Sequence, residues 1–236
     1  MSLKRACDLT VEERAGIIRQ SDFGHTLSEP LLQEFAFSSA AYDYRRRRLV
    51  YRSGDEADVL YVIDRGRIKL CRIEEGTDRE AVIDILPAGS LFGDSALYAE
   101  GQRENCAVAY EHSRVVRIPV GEFKKGMAES QELYDYTFRL IGQRLARAER
   151  RVADFALDAI PARLDKLLVD FSRRYGVNET EGVLIDIPLP HREIASIVGS
   201  TRESVTVRLN AMRREGIIDF VNRKILIKRP ESLVMF

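Results

Sequence analysis

Between Pro190 and Ile217 the chain carries two short helical patterns separated by one glycine, and no other stretch narrows its possible folds so far. Ile194, Ala195, Ile197 and Val198 fall on one apolar helical face. Gly199 follows, a residue that readily takes the left-handed conformation closing a helix. Ser200 and Thr201 offer an N-cap for a second helix, in which Val205, Leu209 and Met212 recur as a buried stripe. The opposite face shows Arg202, Glu203, Thr206 and Arg213. Two short helices about a glycine turn, the second opening on Arg-Glu, form the pattern that sets a recognition helix in the major groove of DNA. The competing arrangement is a helical hairpin with a solvated charged face.

The rest of the composition fits an intracellular binding protein. Lys plus Arg equals Asp plus Glu, 37 of each, so contact with nucleic acid must use a local basic patch. From Pro161 onward the basic residues modestly outnumber the acidic ones. Cys7, Cys71 and Cys106 are scattered and odd in number, which argues against a disulfide framework and for a reducing compartment. No run of about 18 apolar residues exists, and the N-terminus lacks a signal-peptide layout. A cytoplasmic location is expected, with no membrane partner.

Four textures follow one another along the chain. Residues 1 to about 30 read as short helices, with Thr10 and Glu13 spaced as a capping box. From about Leu31 to Phe123 short strands alternate with turns: Leu49–Tyr51, Val59–Ile63, Arg67–Ile73 and Ala81–Leu86, punctuated by Gly54, Gly66, Gly76, Gly89 and Gly93. That spacing predicts a β-sandwich or barrel. A long helix is expected from about Ser130 to Leu157. Leu133, Leu140, Ile141, Leu145, Ala148, Val152 and Phe155 lie on one stripe, the seam a two-stranded coiled coil presents, and so predict a homodimer. A helix packed on its own domain is the alternative. Pro161 restarts helix, and Val183–Ile187 with Lys224–Ile227 would form a wing. The expected domains are 1–125, 126–158 and 159–236.

A glycine-punctuated β-roll, a long helix and a terminal winged helix-turn-helix resemble the cyclic-AMP receptor protein and fumarate–nitrate regulator (CRP/FNR) family. The resemblance rests on Ser53-Gly54-Asp55, on Tyr61 to Ile68, on Pro87 to Asp94 and on Ile194 to Val205. It implies an α+β protein with an N-terminal double-stranded β-helix or jelly roll of cyclic-nucleotide-binding type. The long helix would then be the dimerisation helix and the C-terminal end the DNA-binding domain. Double-stranded DNA with a palindromic site, a second copy and RNA polymerase are the implied partners. Gly199 to Thr206 is also similar to the branch that controls nitrogen metabolism and senses 2-oxoglutarate.

The effector pocket departs from the family pattern. Cyclic-AMP-binding members have a Gly-Glu pair whose Glu binds the ribose and, about ten residues later, an Arg-Ser pair whose Arg neutralises the phosphate. Here Gly93 and Asp94 hold the first pair, and a gap-free count places Glu104 and Asn105 at the second. An anion opposite a phosphate repels it, so dependence on cyclic AMP is not expected. Arg103 is adjacent but in a strand would face away, unless the alignment slips by one residue. Counting back from Asp158 brings Arg147, and Arg144 one turn earlier, to the family's ligand-facing helix positions. Three arrangements fit these charges. Glu104 pairs with Arg147 or Arg144 in place of a ligand, giving an effector-independent protein. The arginines receive an organic acid such as 2-oxoglutarate. Or all are solvated surface charges, worth at most about 1 kcal/mol per pair.

Other chemistries lack their residues. An iron–sulfur cluster needs about four cysteines, and Cys7 has no neighbouring thiol. His25, His112 and His191 offer no paired haem ligands, and no His-X-His motif exists for a metal. No catalytic constellation, metal or cofactor is therefore predicted, and the chain is not expected to be an enzyme. Cys71 and Cys106 read as small residues in strands. The run Arg45 to Arg48 reads as an exposed edge or turn.

For reading DNA, the resemblance assigns Arg202 a bidentate contact to guanine and Glu203 acceptance from cytosine N4, with Thr206 facing the same groove. Val207 stands where the family's second base-reading Arg would be, and could meet a thymine methyl. Arg208 is rotated about 100° away and would reach phosphate or stay solvated. Arg192, Ser200, Thr201, Arg223 and Lys224 are candidates for DNA-backbone contacts. The rival of a different class is a cyclic-nucleotide-binding regulatory module that never touches DNA.

Overall fold

The computed structural model describes residues 4–74, 76–77, 79–98 and 101–233, and for residues 4 and 5 the backbone only. Two compact units divide the chain between Leu145 and Ala146, inside the long helix. Each is described by itself.

The N-terminal unit opens with strand β1 (Lys4–Cys7) and helix α1 (Val11–Arg19). The expected capping box is present: Thr10 Oγ1 accepts from the Glu13 amide at 3.2 Å, and Glu13 accepts from the Thr10 amide at 2.7 Å. Helix α2 (Glu29–Ser38) then occupies part of the stretch expected to be strands, because Leu31, Leu32, Phe35 and Ala36 bury a helical face. The roll itself begins at β2 (Ala40–Tyr44) and continues through β3 (Leu49–Tyr51), β4 (Val59–Arg65), β5 (Ile68–Ile73) and β6 (Glu80–Leu86). It closes with β7 (Leu91–Phe92), β8 (Cys106–Ala109) and β9 (Ser113–Pro119).

Two antiparallel sheets result, ordered β1-β2-β9-β4-β7 and β3-β8-β5-β6. Strand β1 was not expected from sequence; its whole length pairs with β2, Lys4 opposite Tyr44 and Cys7 opposite Ala41. The arginine run forms the turn between β2 and β3, with Arg45 to Arg48 all exposed and Arg47 at φ 67. Between the sheets lie Tyr44, Tyr51, Tyr61, Ile63, Ile68, Leu70 and Phe92. Helix α3 (Val120–Glu129) seats Phe123 in a second core with Phe23 and Phe35.

Helix α4 (Gln131–Leu157) follows after one residue. Its apolar residues separate into two stripes, where the sequence suggested one. Leu133 is buried and Tyr136 and Leu140 pack against the α1–α2–α3 core. Phe138, Leu145 and Val152 are exposed and recur every seven residues. Ile141, Ala148 and Phe155 interleave with them at the same interval. Leu133 and Leu140 therefore serve the core of their own domain, and the outward seam runs through Phe138 instead.

The C-terminal unit contains α5 (Ile160–Tyr175), β10 (Gly176–Glu179), β11 (Gly182–Ile185), α6 (His191–Val198) and α7 (Arg202–Arg214). Strands β12 (Ile218–Val221) and β13 (Lys224–Ile227) end it. The sheet order is β10-β11-β13-β12, so the expected pairing of Val183 to Ile185 with Ile225 to Ile227 forms. The hairpin at the edge is β12–β13, whose Asn222 and Arg223 both have positive φ, as a two-residue primed turn demands. Strands β10 and β12 were not anticipated.

Candidate nucleic-acid interface and effector pocket

Helix α6 ends on Gly199 at φ 63, and Thr201 caps α7, its Oγ1 accepting from the Ser204 amide at 3.2 Å. A Cβ on Gly199 would lie 2.7 Å from a ring carbon of Phe155, so only glycine fits the turn. Val205, Leu209 and Met212 are fully buried, as the stripe predicted. This fixes which side of α7 faces water: Arg202, Glu203 and Val207 are exposed, Val207 by 69%. An apolar side chain bared beside an Arg and a Glu at the start of a helix suits base edges and a thymine methyl.

Thr206 is half-buried and fixed from two sides. Its Oγ1 donates to the Arg202 carbonyl at 2.7 Å and lies 2.8 Å from His191 Nδ1. With the hydroxyl donating to that carbonyl, the tautomer that completes the contact is the one protonated at His191 Nδ1, which then donates to Thr206 Oγ1. Burial, and secondarily Arg202, lowers the pKa of His191 below its ordinary value. Arg208 departs from the sequence reading. It pairs with the buried carboxylate of Asp165 on α5, 3.6 Å away, while its own side chain stays 31% exposed. Burial raises the pKa of Asp165 despite the pull of Arg208.

The candidate backbone contacts divide. Arg192 and Arg223 are exposed, Arg223 at the hairpin tip. Lys224 bonds to Asp186. Thr201 is engaged in the cap, and the Ser200 hydroxyl is buried without a hydrogen-bond partner.

In the roll, Arg103 points inward, contrary to the expectation that it would face away. It is 2% exposed. Its Nη1 donates to the Gly93 carbonyl at 2.7 Å and its Nη2 to the Val59 carbonyl. The guanidinium centre lies 4.6 Å from the centroid of the Tyr51 ring and 5.6 Å from that of Tyr61, within cation–π range. Phe92 stacks on both Tyr51 and Tyr61, on Tyr61 at 4.8 Å, and the two tyrosine rings are tilted to each other. Burial raises the pKa of both phenols and keeps them neutral. Gly93 takes φ 78, and a Cβ there would crowd Arg103 and Tyr61 at 3.0 Å. Asn105 also faces in, accepting from the Tyr51 hydroxyl at 3.2 Å. No carboxylate contacts Arg103 among the described residues, and its Nε has no hydrogen-bond partner.

Glu104 points out, 3.6 Å from Arg72, with both side chains about two-thirds exposed. It does not pair with Arg144. Arg144 pairs instead with Asp94, and its Nη2 also donates to the Leu91 carbonyl at 2.7 Å. Arg147 is half-exposed and belongs to the C-terminal unit. Among the described residues no group of three or more His, Cys, Asp or Glu could hold a metal, and no helix is long and apolar enough to cross a membrane.

Residues 42–130 match the model of the cyclic nucleotide-binding domain, and residues 162–236 match that of the Crp-like helix-turn-helix domain. The chain belongs to the CRP/FNR family. It is 27% identical over 191 residues to the CRP-like cAMP-activated global transcriptional regulator of Mycobacterium tuberculosis, covering 81% of this chain and 85% of that one. To the global nitrogen regulator of a Nostoc species it is 28% identical over 200 residues, covering 84% and 89%. The structure of FixK2 from Bradyrhizobium japonicum superposes with a TM-score of 0.73 at 18% identity, covering 83% of this chain and 95% of that one. A CooA mutant from Carboxydothermus hydrogenoformans gives 0.74 at 21%, covering 97% and 96%. These two likenesses concern the fold. As a CRP/FNR member the chain is a DNA-binding transcription regulator, not an enzyme, and a module that never touches DNA is not favoured.

Proposed function

We propose that this regulator acts as a homodimer on two-fold symmetric DNA and needs no cyclic nucleotide. The observation that carries the second half is Arg103. A cyclic-nucleotide pocket must leave its arginine free to meet a phosphate, whereas here Arg103 is enclosed by Tyr51 and Tyr61 and bonded to two backbone carbonyls. Asp94, which stands for the ribose-binding Glu, is already neutralised by Arg144. Protein side chains thus do what a ligand would do, joining the Gly93 turn to α4.

Dimerisation is supported by the outward seam of α4. Phe138, Leu145 and Val152, with Ile141, Ala148 and Phe155 between them, keep the a/d interval over more than two heptads. Each half-site would present a guanine to Arg202, a cytosine amine to Glu203 and a thymine methyl to Val207, with Arg192 and Arg223 on phosphates. RNA polymerase is the further partner expected of such a regulator, and the cytoplasm its location. Selection of random duplexes by the purified protein, without small molecules and at a stated salt concentration, tests this reading. A palindromic consensus is expected, unchanged by cyclic AMP. Enrichment only with cyclic AMP would refute it.

A second reading rests on one observation. Among the described residues the Arg103 cation has no carboxylate partner and its Nε is unpartnered, so a small organic acid such as 2-oxoglutarate would find a counter-charge there if Tyr51 moved. Enrichment that appears only with 2-oxoglutarate would favour it.

A further inference from the structure

Two cysteines that the regulator's DNA-binding role does not use face each other across the outer sheet. The antiparallel register of β5 and β8 makes Cys71 and Cys106 direct partners, so both side chains leave the same face. In that ladder the Tyr110 amide donates to the Arg67 carbonyl. Stepping by two along both strands makes Cys71 and Cys106 a hydrogen-bonded pair, where Cα atoms stand about 5.5 Å apart. Disulfides most often span about 5.5–6 Å. Both thiols are free, Cys71 0% and Cys106 6% exposed. Burial, followed by Glu80, pushes the Cys71 thiol up to about 12, and the Cys106 sulfur contributes to the same shift, as two sulfurs in proximity must.

Cys106 is also tied to the cradle of Arg103. Its Sγ accepts from the Ser53 amide at 3.4 Å. Ser53 Oγ and the Gly54 amide donate in turn to the Arg103 carbonyl, at 3.4 Å and 2.8 Å.

We propose that Cys71 and Cys106 form an oxidisable dithiol site that takes a hydroperoxide and closes to an intrachain disulfide, loosening the Ser53–Gly54 loop under Arg103. The Cys106 sulfur, the more accessible of the two, attacks the peroxide. The O–O bond breaks, one oxygen leaves as alcohol or water, and Cys106 becomes a sulfenic acid. The Cys71 sulfur then displaces that oxygen as water while its own proton is lost. Two thiols and one hydroperoxide give one disulfide, one alcohol (water when the oxidant is hydrogen peroxide) and one water. The new bond draws the Cys106 sulfur away from the Ser53 amide. Because Cys71 is so weakly acidic, oxidation should be slow, which suits a response to sustained peroxide rather than scavenging.

The test uses the full-length protein, treated with hydrogen peroxide while folded, alkylated and mapped by mass spectrometry. A cross-linked Cys71–Cys106 peptide, lighter by two hydrogens and restored by dithiothreitol, is expected. The Cys7→Ser variant should behave identically. Cys71→Ser should stop at a Cys106 sulfenic acid that a carbon acid such as dimedone traps. Thiols that react only after unfolding, or a product that links Cys7 instead, would overturn the site. Amide exchange read on the same oxidised sample should accelerate about tenfold at Ser53 and Gly54, and unchanged protection there would overturn the coupling to Arg103. Neither readout requires DNA, so failure here is distinguishable from failure of the regulator reading.

Discussion

Replacing Arg144 with alanine removes a guanidinium that serves two acceptors, the Asp94 carboxylate and the Leu91 carbonyl. The Asp94 side chain is 10% exposed and that of Arg144 is 23% exposed. Breaking a fully buried pair by deleting one partner costs about 3–5 kcal/mol, because a desolvated charge is left uncompensated. Arg144 keeps partial access to water, which screens some of that attraction, so the expected loss is about 2–3 kcal/mol. Asp94→Asn keeps the shape and removes the charge, and should cost less. The double variant closes a thermodynamic cycle in which a coupling of about 1–2 kcal/mol is expected. Urea denaturation at one fixed protein concentration measures all four proteins, so that any self-association contributes equally to each. The selected duplex should also bind Arg144→Ala more weakly, since the truncation releases the Asp94 carboxylate and the Leu91 carbonyl from α4. A cost below about 0.5 kcal/mol with no coupling would make the pair an ordinary surface contact and refute the claim that it replaces a ligand.

Arg202→Ala should lose about 1–3 kcal/mol on the selected duplex and relax preference at one base pair, read by competition against single-base variants. Asp165→Asn should release Arg208 toward phosphate: the salt dependence of binding steepens by about 0.9 in the log–log slope while the consensus is unchanged, as fluorescence anisotropy across salt concentrations would register. The same variant should change the pH profile of stability. An acid whose folded pKa is raised ionises first in the unfolded chain, so stability falls as pH climbs from the ordinary carboxylate value through the raised one. Melting temperatures across that window should lose this fall in Asp165→Asn. His191 runs the other way: its lowered folded pKa means stability is held above the ordinary imidazole value and lost as pH drops through the window beneath it, and His191→Asn should flatten that acid limb. Gly199→Ala forces a Cβ against Phe155 at positive φ and should cost about 1–3 kcal/mol in a thermal melt.

What could be read from sequence was what local physics decides. Gly199, the Thr201 cap and the stripe of Val205, Leu209 and Met212 specify α6 and α7 without reference to anything distant in the chain. The capping box at Thr10 is equally local. Strand β1 was missed because its pairing with β2 is non-local, and a four-residue segment carries little pattern of its own. Helix α2 was absorbed into the strand region since its apolar residues form a short run of ambiguous period. In α4 the heptad reading merged two faces. Leu133 and Phe138 are both large and apolar, and only the Phe23–Phe123 core, assembled from distant segments, shows which of them is taken.

The pocket turned on one residue of phase. From Cys106 to Tyr110 the chain is apolar on both faces, so alternation alone does not say which side is inside. A gap-free count from Gly93 put Glu104 inward. The pairing of β8 decides otherwise, because Ala107 and Ala109 join the core between the sheets, and stepping back by two brings Asn105 and Arg103 inward with them. The turn after Asp94 is thus one residue shorter than the counting assumed, with Gly101 at φ 90 within it. The same step that draws Arg103 in sets Glu104 and Cys106 on the opposite face, Glu104 against Arg72 in water and Cys106 against Cys71. A buried anion would have repelled every phosphate or carboxylate. A buried arginine held by two carbonyls and an aromatic ring instead fills the site with the charge an anionic ligand needs, so the absence of a carboxylate partner, not the presence of the charge, separates a self-filled pocket from one that can still be opened.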